Sequence, residues 1–247
     1  MAESAYLPRL AVRDAEVLDA PRHSALVRIT HWIHAISFIG LVVSGVGILL
    51  AHPRFYWGET GALGTPSILD LPLPFVLSAS GWGRYMHFQS AWLCVLTGVV
   101  YVFSGIFNRH FQNNLAPTKK DLSWRSIGDV TANHLRLRRP TEEDAKTYNV
   151  LQRLSYLAVV FLLMPFMIWT GMAMSPGIVS VFPFFVTSLG GQETARTLHL
   201  FAATLLVLFF FVHIAMVILA GFWKRTKAMI WAEVGSATHS IAGKERP

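Results

Sequence analysis

Four histidines lie within apolar stretches of the chain, where an ionisable side chain is costly and usually serves a function. They are His31, His87, His199 and His213. His199 and His213 are fourteen residues apart, so on one helix they share a face and stand about 21 Å apart along the axis. Two imidazoles that face each other from neighbouring helices can bind one iron from both sides. The depths of the four residues predict two such pairs, His87 with His199 and His31 with His213.

An arginine precedes three of these histidines by three residues, at Arg28, Arg84 and Arg196. Because positions i and i+3 lie on one helix face, each guanidinium is expected one turn closer to water than its histidine. A guanidinium can bind a carboxylate through two parallel hydrogen bonds. The pattern therefore favours a haem at each histidine pair, with its ring in hydrocarbon and its propionates at the arginines. His213 has no such arginine, and its haem would need Arg28 or another donor.

A fifth histidine, His34, offers an alternative to one of the four ligands. It lies one turn deeper than His31 and is rotated by about 60° around the helix axis. It could replace His31 as an iron ligand or form a hydrogen bond near the haem. The neighbouring Arg28 and the better match in depth favour His31.

Three other interpretations of the histidines explain less of the pattern. A single histidine such as His87 could be only an interfacial polar residue, but four residues at matched depths are not explained in that way. A tetrahedral zinc site is excluded because His199 and His213 cannot reach one ion. A proton relay would leave the three Arg-x-x-His pairs without a role.

The composition indicates that membrane helices must position these side chains. Hydrophobic residues make up 53% of the 247 residues, charged residues make up 14%, and the mean hydropathy is +0.45, whereas a soluble domain carries about 25% charged residues. Four apolar runs exceed twenty residues, which is enough to cross roughly 30 Å of hydrocarbon. The predicted spans are about 26–51, 85–107, 150–174 and 194–223.

Shorter features refine this picture. Two apolar patches, 69–79 and 178–189, contain prolines and are predicted to be interfacial or re-entrant segments. The single cysteine, Cys94, excludes a disulfide framework and a cysteine-held iron–sulfur cluster. Small residues in the spans are predicted either to allow close helix contacts or to line haem faces. They are Ser44, Gly45, Gly47, Gly98, Gly105 and Gly171.

The distribution of positive charge predicts the orientation of the chain. Of the 21 lysines and arginines, 18 lie in the N-terminal segment, the loop between the second and third spans, the start of the third span and the C-terminal tail. The positive-inside rule then places both termini in the cytoplasm. The net charge of +7 is explained by the orientation of the chain in the membrane. It does not indicate a nucleic-acid partner, since the sequence contains no soluble domain that would carry a basic binding surface.

We therefore predict an all-α fold, an integral membrane four-helix bundle that holds two b-type haems, with both termini cytoplasmic. The bundle occupies 26–232, between cytoplasmic segments at 1–25 and 233–247. The first 25 residues contain no long apolar run and are not expected to form a signal peptide.

Several short motifs resemble those of one known group of proteins. The motifs are RITHW around His31, GRYMH around His87, and TLH followed by VHIAMVILAGFW around His199 and His213. They resemble the di-haem cytochrome b subunits of formate dehydrogenase, nickel–iron hydrogenase and thiosulfate reductase, within the bacterial cytochrome b561-like group. KKDLSW, TYNVLQ and WKRTKAMI are similar to the formate dehydrogenase gamma subunit, whereas the loop FYWGETGALG looks more like the thiosulfate reductase type. The resemblance covers about residues 28–232.

The resemblance also implies partners. It implies a quinone site beside the cytoplasmic-side haem, where Asn149 and His213 would contact the head group of menaquinone or ubiquinone and Gln152 is the next candidate. Polarity at a helix N-terminus is an equal explanation for Asn149 and Gln152. The resemblance further implies a location in the bacterial inner membrane and a catalytic subunit outside the cytoplasm, which often contains molybdenum. The outer loops, 52–84 and 175–195, would dock that subunit through Tyr56, Trp57 and Trp82, or these residues would be interfacial anchors.

The predicted function is electron transfer between the quinone pool and a periplasmic oxidoreductase through two stacked haems. No residue is expected to be catalytic by itself, because the redox chemistry belongs to the haems and the quinone. One alternative is a self-contained cytochrome b that oxidises quinol and reduces a small periplasmic acceptor. Another alternative is a haem-free membrane anchor or transporter.

Overall fold

The fold is that of a computed structural model, which describes residues 24–59, 64–73, 81–109, 111, 150–219 and 221–231. In this part of the chain, four helices are long and apolar enough to cross a membrane. The four-helix prediction is therefore confirmed. The predicted terminal segments and most of the loop between the second and third spans lie outside the described residues.

The first two spans are long uninterrupted helices that pack along each other. Helix α1 covers Ala25–Ala51 and helix α2 covers Gly81–Phe107. The side chain of Ser24 caps α1, where its Oγ accepts a hydrogen bond from the backbone of Val27, satisfying one of the donors that a helix N-terminus exposes. Gly40 of α1 lies directly against Ser90 of α2, so the absence of a side chain there allows the close approach of the two helices.

The third span changes its helical winding midway. Helix α3 covers Val150–Ala158, a π-helical segment covers Val159–Leu163, and helix α4 covers Met164–Ala173. The backbone N–H of Met164 bonds to the carbonyl of Val159, five residues back. Pro165 explains the change, because proline has no N–H and its ring clashes with the carbonyl four residues earlier. The wider turn before it accommodates both effects.

The fourth span is helix α7, which covers Gln192–Leu219 and packs on α4. The sequence predicted a span reaching residue 223, whereas the structure ends α7 at Leu219. Gly221 has a positive φ of 96°, a left-handed conformation that glycine adopts readily. A separate helix, α8, then covers Phe222–Ile230.

The connections between spans form small elements at one end of the bundle. Strands β1, Arg54–Phe55, and β2, Leu69–Asp70, pair antiparallel. Helices α5, Pro176–Val179, and α6, Phe184–Thr187, join α4 to α7. The described parts of the two short apolar patches, 69–73 and 178–189, lie outside the four candidate spans, and the hairpin adds two strands of two residues each to the mostly helical fold.

The two ends of the bundle are built from different elements. The hairpin end comprises the β1–β2 hairpin, α5, α6 and the first turn of α7. The terminal end comprises the start of α1 and α8, which are joined by a hydrogen bond of 3.1 Å from Trp32 Nε1 to the carbonyl of Met229.

Small side chains fill the interior, and large apolar side chains face outward. Serine, threonine, alanine and cysteine are the main buried types in the described helices. Large side chains on the same helices are exposed, among them Ile36, Leu96 and Phe211 at 67%, 61% and 63%. This distribution is the one expected where the surrounding solvent is lipid and helices approach closely through small residues.

Candidate haem-ligand pairs

The structure brings the four predicted histidines together as two pairs. The rings of His87 on α2 and His199 on α7 have their centroids 6.2 Å apart with planes at 62°. The rings of His31 on α1 and His213 on α7 have their centroids 6.4 Å apart with planes at 52°. One pair therefore lies toward the hairpin end and the other toward the terminal end, as the fourteen-residue spacing on α7 predicted.

Both separations fit two imidazoles that share one iron. A metal–imidazole bond is about 2 Å long and the ring centre lies about 1 Å behind the nitrogen, so the two centroids are expected about 6 Å apart. Other ring contacts in the structure have similar separations, such as Tyr156–Phe209 at 6.2 Å, and what distinguishes these two pairs is that both rings are imidazoles. The residues present therefore fit a haem iron that the two imidazoles of each pair would bind.

The arrangement of the other ligand-type side chains supports pairwise binding. Among the described residues, no group of three or more histidine, cysteine, aspartate or glutamate side chains is placed to hold a metal ion. A structural zinc site needs four such ligands. In the described part of the chain, the four histidines are grouped in twos, His87 with His199 and His31 with His213.

Hydroxyl groups contact both imidazoles of the His87–His199 pair. The Oγ of Ser44 lies 3.0 Å from His87 Nδ1, and the Oγ1 of Thr170 lies 2.8 Å from His199 Nδ1. Both hydroxyl residues are fully buried. Sequence reasoning grouped Ser44 with the small residues of the spans and did not single out Thr170. The sequence feature that could have identified these two residues is a hydroxyl side chain in an apolar helix, at the same depth as one of the four histidines.

Glycines lie against the same two rings. A Cβ at Gly45 would be 3.7 Å from His87 Cε1, and a Cβ at Gly171 would be 3.5 Å from His199 Cε1. These two glycines therefore flank the His87–His199 pair. The other small residues meet different partners, which are His34 for Gly98, Trp82 for Gly47 and Phe111 for Gly105.

His34 has a different environment from His31. Its Nδ1 lies 2.9 Å from the carbonyl of Thr30, one turn earlier on α1, and its Nε2 faces Gly98 on α2. A carbonyl only accepts, so Nδ1 donates its proton there. The ring opposite His213 is that of His31, which supports the choice of His31 as the ligand.

The three predicted propionate partners lie in unlike surroundings. The Nη1 of Arg28 is buried and has no hydrogen-bond partner among the described residues. Arg84 is exposed. Arg196 is engaged at the hairpin end, where Nη2 donates to the carbonyl of His52 at 2.6 Å and Nη1 lies 3.2 Å from Glu193 Oε2. Arg28 is therefore the best placed of the three for a further anionic partner.

The hairpin end is fastened to the start of α7 near His199. Thr197 Oγ1 donates to the carbonyl of Tyr56 at 2.7 Å, and the backbone N–H of Gly58 donates to Thr194 Oγ1 at 2.7 Å. The guanidinium of Arg196 also lies 4.7 Å from the Phe55 ring centroid, within the range of a cation–π contact. These contacts join the connection after the first span to the helix that carries His199, and they could not be predicted from the sequence.

The remaining predicted residues are surface or undescribed positions. Trp57 and Trp82 are about half exposed, at 49% and 53%, and Tyr56 is half-buried. Asn149 lies outside the described residues, as does the side chain of Gln152. The quinone contacts expected of these two residues therefore remain predictions.

Comparison with known proteins identifies the family. The family model described as prokaryotic cytochrome b561 matches residues 22–232. The chain belongs to the prokaryotic cytochrome b561 family. This prokaryotic cytochrome b561 is thus a multi-pass electron-transfer protein of the bacterial inner membrane that uses b-type haem, and the resemblance found in the sequence is confirmed.

Two relatives align with most of this cytochrome b561. One, from Azospira oryzae, bears the name "Putative protein-methionine-sulfoxide reductase subunit YedZ1" and is 29% identical over 205 residues, covering 80% of this chain and 90% of the relative. The other is the cytochrome b556(fdo) subunit of formate dehydrogenase from Escherichia coli strain K12, 30% identical over 234 residues, covering 92% of this chain and 89% of the relative. No solved structure matches the chain.

Proposed function

We propose that this cytochrome b561 is a di-haem subunit that passes electrons between the quinone pool and a periplasmic oxidoreductase. The observation that carries the proposal is the repetition of one ligand geometry at two levels, with imidazole centroids 6.2 Å and 6.4 Å apart. Each b haem, when bound, carries one electron as its iron alternates between the ferric and ferrous states. The protein supplies the ligands, their spacing and the electrostatics.

The four histidines are assigned as the residues that would hold the two haems. His87 and His199 would hold one haem near the hairpin end, and His31 and His213 would hold the other near the terminal end. His199 and His213 both lie on α7. The rise of the helix between them therefore sets the distance between the two haem sites. Arg28, Arg84 and Arg196 are assigned to the propionates, with Arg196 offering the donors that its contacts with His52 and Glu193 leave unused.

The quinone is assigned to the terminal end. His213 lies there, and Asn149 and Gln152 at the start of the third span are the accompanying polar candidates. The bias of lysine and arginine supports a cytoplasmic position for this end. The quinone is either menaquinone or ubiquinone, since both present carbonyl oxygens that an amide or imidazole donor can bind.

The periplasmic partner is assigned to the hairpin end. The named relatives are subunits of formate dehydrogenase and of a methionine-sulfoxide reductase, which supports a separate catalytic subunit, molybdenum-containing in type, as the partner. Large apolar side chains are exposed at this end, including Trp57 at 49%, Phe182 at 59% and Phe184 at 60%. Aromatic residues of this kind are enriched in the centres of protein interfaces.

Quinol-driven reduction of the purified chain tests the proposal. The chain is purified in mild detergent, oxidised, and mixed with a menaquinol or ubiquinol analogue while the α-band absorbance is followed. We expect the band of ferrous b haem to appear, and we expect His213→Ala to abolish this reduction. Absence of haem would overturn the assignment in favour of an anchor or transporter, and rapid reduction of a small acceptor by the isolated chain would favour the self-contained enzyme.

A further inference from the structure

The two hydroxyls beside the His87–His199 pair have a role beyond packing. We infer that Ser44 and Thr170 are positioning residues for this ligand pair, which accept the Nδ1 protons of the two imidazoles and thereby present both Nε2 atoms to one iron. The inference rests on the proposed function, because it takes His87 and His199 as axial ligands.

The direction of each hydrogen bond to an imidazole follows from the group to which the hydroxyl donates its own proton. Ser44 Oγ lies 2.6 Å from the carbonyl of Gly40 on its own helix, and Thr170 Oγ1 lies 3.0 Å from the carbonyl of Met167. A hydroxyl has one proton and two lone pairs, and a carbonyl can only accept. Each hydroxyl therefore donates to its carbonyl and accepts from the imidazole.

The direction of the bond fixes the tautomer of each ring. A neutral imidazole carries one N–H and one bare nitrogen. Because Nδ1 of His87 and of His199 donates to a hydroxyl, the bare nitrogen in both rings is Nε2. Only a bare nitrogen binds a metal, so both rings are prepared for ligation through the same atom.

Each hydroxyl also crosses between helices to reach its ring. Ser44 is on α1 and His87 is on α2, whereas Thr170 is on α4 and His199 is on α7. Both hydroxyl side chains are fully shielded, with a relative exposure of 0%. Water therefore does not compete for these bonds, and all four spans take part in orienting one pair of rings.

The expected consequence is a lower midpoint potential for the haem at this pair. Hydrogen bonding from the second ring nitrogen raises the electron-donating strength of the ligating nitrogen, which favours ferric over ferrous iron. Removing a hydroxyl should raise the potential. We expect a roughly three- to tenfold change in the ferric–ferrous equilibrium, or about 30–60 mV at about 59 mV per tenfold for one electron.

Redox titration of the purified chain tests this inference. Ser44→Ala and Thr170→Val each remove one of the hydroxyls with little change in side-chain volume. The variant Thr170→Ser keeps a hydroxyl at residue 170. His87→Ala, which leaves only the His31–His213 haem, assigns the two potentials. Ser37→Ala and Thr97→Val are matched controls, because these buried hydroxyls bond to a carbonyl four residues earlier on their own helices.

The measured potentials and haem contents of these variants decide whether the inference holds. An upward shift of the His87–His199 haem in Ser44→Ala and Thr170→Val, with wild-type potentials in Thr170→Ser and both controls, supports the inference. Loss of that haem in Thr170→Val also supports it if Thr170→Ser and Thr97→Val retain the haem. Unchanged potentials, or equal shifts in the controls, overturn it while the proposed function stands. A wild-type chain without two titratable haems would instead overturn the proposed function.

Discussion

Each histidine in the membrane helices needs partners for two ring nitrogens, because an unpaired polar group in hydrocarbon is costly. For His87 and His199, a buried hydroxyl takes one nitrogen, and the facing ring lies at the distance that an iron would bridge. For His34, the carbonyl of Thr30 takes one nitrogen and no second imidazole of the described residues stands opposite. This difference separates a ligand from a histidine bonded within its own helix.

Substitution of His31 and of His34 distinguishes these roles. We expect His31→Ala to lose one haem per chain, because the ring opposite His213 disappears. We expect His34→Ala to retain both haems, since its Nδ1 bond lies within α1 and its Nε2 faces Gly98. Haem per chain, measured as the pyridine haemochrome of the purified proteins, reports both results. Loss of a haem in His34→Ala alone would assign the ligand to His34 instead.

The pairing of the histidines could be predicted from sequence, whereas their hydroxyl partners could not. Depth along a helix and rotation around it depend only on residue spacing, so His199 and His213 could be assigned to two levels. The contact of Ser44 with His87 depends on how α1 and α2 rotate against each other. The contacts of Arg196 with His52 and Glu193 depend on the path of the connecting loop, which no local pattern specifies.

Among the secondary-structure elements, too, features set by the local sequence could be predicted, whereas others could not. The spans α1, α2 and α7 could be predicted because length and apolar composition are sufficient to identify a membrane helix. The break at Gly221 and the π-helical segment before Pro165 are also local effects, but they shift element ends rather than create elements. The β1–β2 hairpin was missed because two-residue strands leave no periodic pattern to recognise.

The fastening of the hairpin end to α7 makes a prediction about stability. Thr197→Val removes the fully buried hydroxyl that donates to the carbonyl of Tyr56 and leaves that part-buried acceptor without this donor, which costs about 1 kcal/mol. We expect a lower denaturation temperature for the detergent-solubilised protein, followed by fluorescence. Thr204→Val is the control, because the exposed Thr204 bonds only to the carbonyl of Leu200 on its own helix in the described part of the chain. Equal denaturation temperatures for the two variants would contradict a stabilising role for the Tyr56 contact.

The whole molecule is organised by the bilayer. Large side chains on the long helices are exposed to lipid while small ones pack inside, so stability comes from close helix contacts and internal hydrogen bonds rather than from a soluble hydrophobic core. Under the proposed function, the histidine pairs near opposite ends of the bundle suit a path for electrons across the membrane. Transfer toward the cytoplasm against an inside-negative potential would store about 2.3 kcal/mol per electron for each 100 mV.

The proposed orientation can be tested by thiol labelling of intact cells. Ser180→Cys places an exposed thiol at the hairpin end, and Lys227→Cys places one on α8 at the terminal end. We expect a membrane-impermeant maleimide to label Ser180→Cys in intact cells and Lys227→Cys only after permeabilisation. The native Cys94 is buried at 5% exposure, so the unmodified chain serves as the unlabelled control. Labelling with the reverse preference would place the termini outside.

The haem content of the purified chain tests the paired-imidazole assignment most directly. The pyridine haemochrome and the dithionite-reduced spectrum should give two b haems per wild-type chain. His87→Ala and His199→Ala should each give one haem, because each removes a ligand of the same pair and leaves His31 and His213 in place. A wild-type chain with no haem or with one haem, or variants that keep both haems, would contradict the assignment.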